Sequence, residues 1–179
     1  MPTQSDPDGS RCSDPECQVC DLSSRLLGDG AVRVSWNDLI EHSCRLRVRA
    51  REDVRCTHGL RLDVPDARYR RVSKGHTTRM CDFAVLAAAA TTAPLLVVEL
   101  KSGAAYADEA IEQLSEGLRT LHERYRIDGL DPRPEACIVA GRELVKLRNS
   151  LRDRLGVLRF GERRVPLRIL QCGDSLLLP

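Results

Sequence analysis

Asp82, Glu99 and Lys101 are the residues of this chain whose types and spacing carry the most specific chemistry. Leu95-Leu96-Val97-Val98 is a continuous apolar run, as a strand buried on both faces requires, and it ends abruptly in Glu99-Leu100-Lys101. Alternation along a strand puts Glu99 and Lys101 on one face and Leu100 on the other. A second strand-like run, Met80 to Ala87, precedes it, and Ala88 to Pro94 joins the two as an antiparallel hairpin. With the turn near Ala90 and Thr91, residue numbers across the hairpin sum to about 181. That sets Asp82 opposite or nearly opposite Glu99, with Cβ atoms about 4.5–5.5 Å apart if the two are directly paired. Carboxylates that close repel, so either one takes up a proton or a cation lies between them. Oxygen donors with room for water suit Mg2+ or Mn2+ rather than zinc. A divalent ion held by Asp82 and Glu99 lowers the pKa of a bound water, while Lys101 orients that water or stabilises charge building at phosphorus. Together these are the parts of a phosphodiesterase.

Lysine is rare here. Lys74, Lys101 and Lys146 are the only lysines among 28 basic residues, so a lysine in this arginine-rich background draws interest to Lys101, where a compact charge of tunable pKa is wanted.

The eight cysteines form the second constellation. No secretory signal is expected from the acidic, polar start MPTQSDPDGS, so thiols and metal ligands are expected before disulfides. Cys12, Cys17 and Cys20 follow a C-x4-C-x2-C spacing that can converge on one tetrahedral zinc ion. Cys56, His58, Cys44 and His42 are candidates for a fourth ligand, with Cys56 or His58 favoured because Cys56-Thr57-His58 looks loop-like. An iron–sulfur cluster is the lesser alternative, and metal-free thiols a third. Cys81, Cys137 and Cys172 fall in apolar runs and are expected as buried small side chains.

The elements that position these groups are read from periodicity. Residues 1–34 are expected as a Cys-rich extension outside the core, braced if at all by metal, and residues 35–179 as one domain. A helix is expected from Ser35, a good N-cap, through Trp36, Leu39, Ile40, Ser43 and Cys44. Strands are expected near Leu60 to Val64 and Arg68 to Val72, with a turn at Ser73-Lys74-Gly75-His76, ahead of the hairpin. Ala107, Ile111, Leu114, Leu118, Leu121 and Tyr125 define one face of an amphipathic helix over residues 106–126. Beyond Asp131-Pro132-Arg133-Pro134 follow a strand at Ala136 to Ala140, a helix carrying Leu144, Leu147, Leu151 and Leu155, and a last strand at Val165 to Cys172. The fold class is α/β, a central mixed sheet flanked by helices.

Composition excludes little. The net charge is +2, but Arg45, Arg47, Arg49, Arg51 and Arg55, then Arg68, Arg70, Arg71, Lys74 and Arg79, concentrate basic charge that would form either a local positive face or ordinary solvated surface. Aromatics make up 3% of the chain and offer no stacking platform for single strands. No apolar run reaches transmembrane length, since Thr91, Thr92, Pro94 and Glu99 interrupt the longest; a cytoplasmic protein without a membrane partner is expected.

Cys81-Asp82 followed by Glu99-Leu100-Lys101 resembles the signature of the PD-(D/E)XK nuclease superfamily, an acidic residue on one strand and (D/E)-X-K at the end of the next. The resemblance extends over residues 35–140 and implies a restriction-endonuclease-like αβββαβ core. It implies Mg2+ or Mn2+ as cofactor and nucleic acid, DNA before RNA, as substrate. Restriction, repair or phage defence, beside a partner protein or as a homo-oligomer, is the setting it suggests. It also implies that Gln113 on the following helix reaches toward the site and that Glu41 on the first helix joins the metal ligands. Cys81 replaces the family's proline, and Gly117 stands where a tyrosine often follows the glutamine. The competing expectations are a non-catalytic binding module of the same fold, which has no need of paired carboxylates facing a polyanion, and a zinc-dependent regulator resting on the N-terminal cysteines.

Overall fold

The computed structural model describes residues 14–73, 76–104, 106–124, 130–142, 144–152 and 158–178. In chain order the elements are α1 (Gln18–Gly28), β1 (Val32–Val34), β2 (Asp38–Glu41), β3 (Cys44–Arg49), β4 (Cys56–Arg61), β5 (Val72–Ser73) and β6 (His76–Thr77). There follow β7 (Phe83–Ala88), β8 (Thr92–Ala104), α2 (Ala107–Arg124), β9 (Asp131–Arg142), α3 (Leu144–Leu151), β10 (Arg159–Phe160), β11 (Arg163–Arg164), β12 (Leu167–Gln171) and β13 (Ser175–Leu177).

Six strands form the central sheet in the order β1-β4-β7-β8-β9-β12. β4 pairs antiparallel with β7 and β7 with β8, while β8, β9 and β12 are mutually parallel. α2 makes the crossover that a parallel β8–β9 pair demands. The sheet is therefore mixed, as expected. In the hairpin Phe83 pairs with Val98 and Leu86 with Leu95, the expected register, so Asp82 and Glu99 continue the ladder one step beyond its last recorded pair.

Alternation divides the sheet into two faces with separate cores. Ala84, Leu86, Leu95, Val97, Leu60 and Ile138 pack against Leu22 and Leu26 of α1, Leu114, Leu118 and Leu121 of α2 and Leu147 and Leu151 of α3. Phe83, Val85, Leu96, Val98 and Leu100 pack against Leu39, Leu46, Val48 and Leu176, which belong to a small second sheet ordered β13-β3-β2. The second sheet covers the face opposite the helices.

That sheet replaces the helix expected from Ser35. Cys44 to Arg49 alternates buried and exposed residue by residue, Cys-Arg-Leu-Arg-Val-Arg, which is the two-residue period of a half-buried strand. His42 takes a positive φ of 51° in the turn between β2 and β3, which also breaks any helix there. The first helix lies earlier, inside the segment expected to be non-core: Val19, Leu22 and Leu26 of α1 are buried in the main core. Their three- and four-residue spacing is the helical signal, masked by the polar residues around it.

Other expectations shift by smaller amounts. Cys56 to His58 is strand rather than loop, and Arg68 to Arg71 belongs to no strand. β9 begins at Asp131, so Pro132 and Pro134 lie inside a strand; β12 pairs with β9 only from Ala136 onward, which leaves the prolines without a neighbour on that side that needs their missing N–H. Cys44 and Cys172 are joined in a disulfide, not a metal ligand and a lone buried thiol. Lys74, Tyr125 and Leu155 lie outside the described residues.

Candidate active site and metal centre

Asp82 leads into β7 and Glu99 lies on β8, both on the helix-bearing face of the sheet by alternation. Glu99 is fully buried and Asp82 is 8% exposed. The main-chain N–H of Asp82 donates to Glu99 Oε2 at 3.3 Å, and the N–H of Leu100 donates to Asp82 Oδ2 at 2.7 Å. Lys101 Nζ lies 2.6 Å from Glu99 Oε1 and 3.9 Å from a carboxylate oxygen of Glu109 on the first turn of α2. The hairpin thus brings Asp82, Glu99 and Lys101 together.

Burial pushes both acids up. Glu99 is raised to about 8, with the Asp82 carboxylate adding to the effect of desolvation. Asp82 is raised to about 6 by burial; the Leu100 N–H and Lys101 pull it down, and Glu41 and Asp63 push it up. For Lys101, burial alone would favour the neutral amine, but the bond to Glu99 and the charges of Glu99, Asp82 and Glu109 outweigh it and raise its pKa. The ammonium is held charged at neutral pH.

Glu41 lies on β2, not on a helix. Its carboxylate pairs with Arg61, and its charge still reaches Asp82. Gln113 is 2% exposed on α2, where its carbonyl accepts the N–H of Cys81 at 3.1 Å. Its Oε1 is buried with no hydrogen-bond partner among the described residues. Gly117 explains how α2 comes so close: a Cβ there would run into Cys81 Sγ, so the glycine lets the helix settle beside the strand that carries Asp82. Glu109 escaped the sequence reading, although Asp108-Glu109 is an ordinary acidic first turn of a helix.

The basic segments differ from one another. Arg45, Arg47 and Arg49 point outward from β3, with Arg45 paired to Asp38 at 3.0 Å. Arg70, Arg71 and Arg79 are engaged with Asp63, Glu123 and Glu109.

A second cluster lies where α1 meets β4. Cys17 caps the N-terminus of α1, Cys20 lies in its first turn, and Cys56 opens β4. Their sulfurs lie within 4.8 Å of one another, at 3.6 Å for Cys17–Cys56 and 3.9 Å for Cys20–Cys56. This trio can hold a metal ion. His58, on the same face of β4, places Nε2 3.3 Å from Cys20 Sγ. Burial, then the charge of Arg33, lowers His58 to about 4, so it is neutral at physiological pH. Cys12 lies outside the described residues, Cys44 is consumed by its disulfide, and His42 is in the β2–β3 turn. No helix among the described residues is long and apolar enough to cross a membrane.

No protein-family model, curated protein or solved structure matches the chain.

Proposed function

We propose that this chain is a metal-dependent nuclease of the PD-(D/E)XK type, hydrolysing phosphodiester bonds in nucleic acid, DNA before RNA. The observation that carries the reading is the contact set at the end of β7 and β8: two buried carboxylates, Glu99 accepting the N–H of Asp82 and Asp82 accepting the N–H of Leu100, with a charged lysine on Glu99. The order α1, then β4, β7 and β8, then α2 and parallel β9 supports the reading, with α1 at Gln18–Gly28 standing in for the helix expected from Ser35.

The donor set fits a hard divalent cation. Asp82 and Glu99 present oxygen only, and both are held toward their neutral forms by burial, a cost that a cation between them would offset. Asp82 and Glu99 would hold Mg2+ or Mn2+, and what such an ion supplies when bound is Lewis acidity toward a phosphodiester oxygen and the attacking water. Lys101 contributes a fixed positive charge near the reacting phosphate, its ammonium oriented by Glu99 2.6 Å away. The Leu100 N–H fixes one oxygen of Asp82 and so sets where the other points. Gln113 and Glu41 remain proposed members of the site, the first through its buried amide and the second through its charge on Asp82. The outward arginines of β3 suit a polyanion, and they favour nucleic-acid binding even in a chain that does not cut. The cysteine trio stands outside these steps as a structural metal site, zinc before an iron–sulfur cluster. A cytoplasmic role in restriction, repair or phage defence is the setting proposed with this activity.

The test is cleavage of supercoiled plasmid, single-stranded DNA and RNA by the purified chain with Mg2+ or Mn2+, beside Asp82→Ala and Lys101→Ala. Cutting that needs the ion and is lost in both folded variants supports the nuclease. Nucleic-acid binding without cutting by the folded wild type, under both ions, favours the binding module.

A further inference from the structure

The sulfur positions at the α1–β4 junction distinguish between kinds of metal centre. Thiolates bound to one tetrahedral zinc at about 2.3 Å must lie about 3.8 Å from one another, the edge of the tetrahedron. Cys17–Cys56 at 3.6 Å and Cys20–Cys56 at 3.9 Å bracket that edge. In an iron–sulfur cluster no iron takes more than two cysteine thiolates, so a third stands well beyond that edge, whereas here all three sulfurs lie within 4.8 Å of one another. The set also spans the fold: two sulfurs come from the start of α1 and the third from β4 in the central sheet.

We infer that Cys17, Cys20 and Cys56 bind a single zinc ion that fastens α1 to the central sheet, with His58 as an outer partner of the Cys20 sulfur. His58 stands outside the mutual sulfur group and reaches it through Cys20, with Nε2 at 3.3 Å. An imidazole carrying its proton on Nε2 donates to a thiolate in that position, which steadies the ligand without joining the ion. On binding, each thiol gives its proton to solvent and its sulfur lone pair to the ion, so occupancy rises with pH.

The inference is independent of the nuclease reading, and its test uses the full chain. Metal analysis of the purified protein is expected to find about one zinc per chain and no iron or sulfide. Exchange for cobalt(II) is expected to produce thiolate-to-cobalt charge-transfer absorption with the strong d–d bands of a tetrahedral site. Cys56→Ser should lower zinc content several-fold, whereas Asp82→Ala should leave it unchanged. His58→Gln should retain the ion with affinity weakened about tenfold in competition with a chelator. Iron with sulfide, or a folded zinc-replenished protein that takes up neither zinc nor cobalt, overturns the inference. Loss of zinc in His58→Gln as complete as in Cys56→Ser overturns the outer role of the histidine. Because cobalt absorption is read on the wild-type chain, a Cys56→Ser variant that fails to fold does not remove the test.

Discussion

The N–H of Asp82 donates to Oε2 of Glu99 at 3.3 Å across the β7–β8 hairpin, so the backbone of one acid fixes the carboxylate of the other. The pair is thereby coupled in position as well as in charge. A change at either acid should disturb both.

Asp82→Ala and Glu99→Gln are each expected to lower phosphodiester cleavage by about a hundredfold or more, with the double variant no worse than the weaker single one. Lys101→Arg should fail to rescue Lys101→Ala, because a planar guanidinium cannot take the compact place of an ammonium 2.6 Å from Glu99. Single-turnover cleavage rates on a plasmid substrate check both. Full additivity of the carboxylate variants would count against a shared site.

The raised carboxyls also set a pH dependence. A group whose pKa is higher in the folded than in the unfolded state contributes stability below its unfolded pKa and loses that contribution as pH rises through the folded value. With Asp82 raised to about 6 and Glu99 to about 8, the protein in magnesium-free buffer should melt at lower temperature at about pH 8 than at about pH 6. Glu99→Gln should flatten that slope, and added Mn2+ should raise the melting temperature more at the higher pH. Melting curves across this range provide the check, and a slope of opposite sign in the wild type would contradict the burial of the pair.

Gly117 offers a sign reversal. Glycine to alanine inside a helix ordinarily stabilises by about 0.5–1 kcal/mol. Here the added Cβ meets Cys81 Sγ, so Gly117→Ala should instead destabilise by about 1–3 kcal/mol in urea unfolding, and Cys81→Ala in the same chain should recover part of the loss. Activity should fall with it, since the same contact sets α2 against the strand bearing Asp82.

The Cys44–Cys172 disulfide spans 128 residues and ties β3 to the chain just after β12. Replacing both cysteines by serine should cost about 2–5 kcal/mol by denaturant unfolding. In the wild type, reductant should reproduce most of that loss, and insensitivity to reductant would show that the bridge does not form in solution.

Much of the candidate site was legible because it is local. A hairpin's register follows from its turn, so the position of Asp82 against Glu99 could be counted from Ala90 and Thr91, and the placement of Glu99 with Lys101 follows from strand alternation. The amphipathic helix through Leu114 and Leu118 was equally plain, because six apolar residues repeat with the helical period. Residues 35–49 misled because Ser35 caps well and Trp36, Leu39 and Ile40 suit a helix face, while the two-residue alternation of Cys44 to Arg49 was the stronger signal.

What the sequence determined by itself, then, is what depends on neighbours along the chain: the paired acids and lysine at the end of a buried hairpin, the crossover helix, and a cysteine set able to converge on metal. Only the tertiary structure decided which distant segments meet. It brought Cys56 to Cys17 and Cys20, bound Cys44 to Cys172, turned Glu41 of the second sheet toward Arg61 of β4, and let α2 approach Cys81 through Gly117. Those contacts join residues far apart in sequence, and they arise from burying two faces of one sheet against different partners, which no local periodicity encodes.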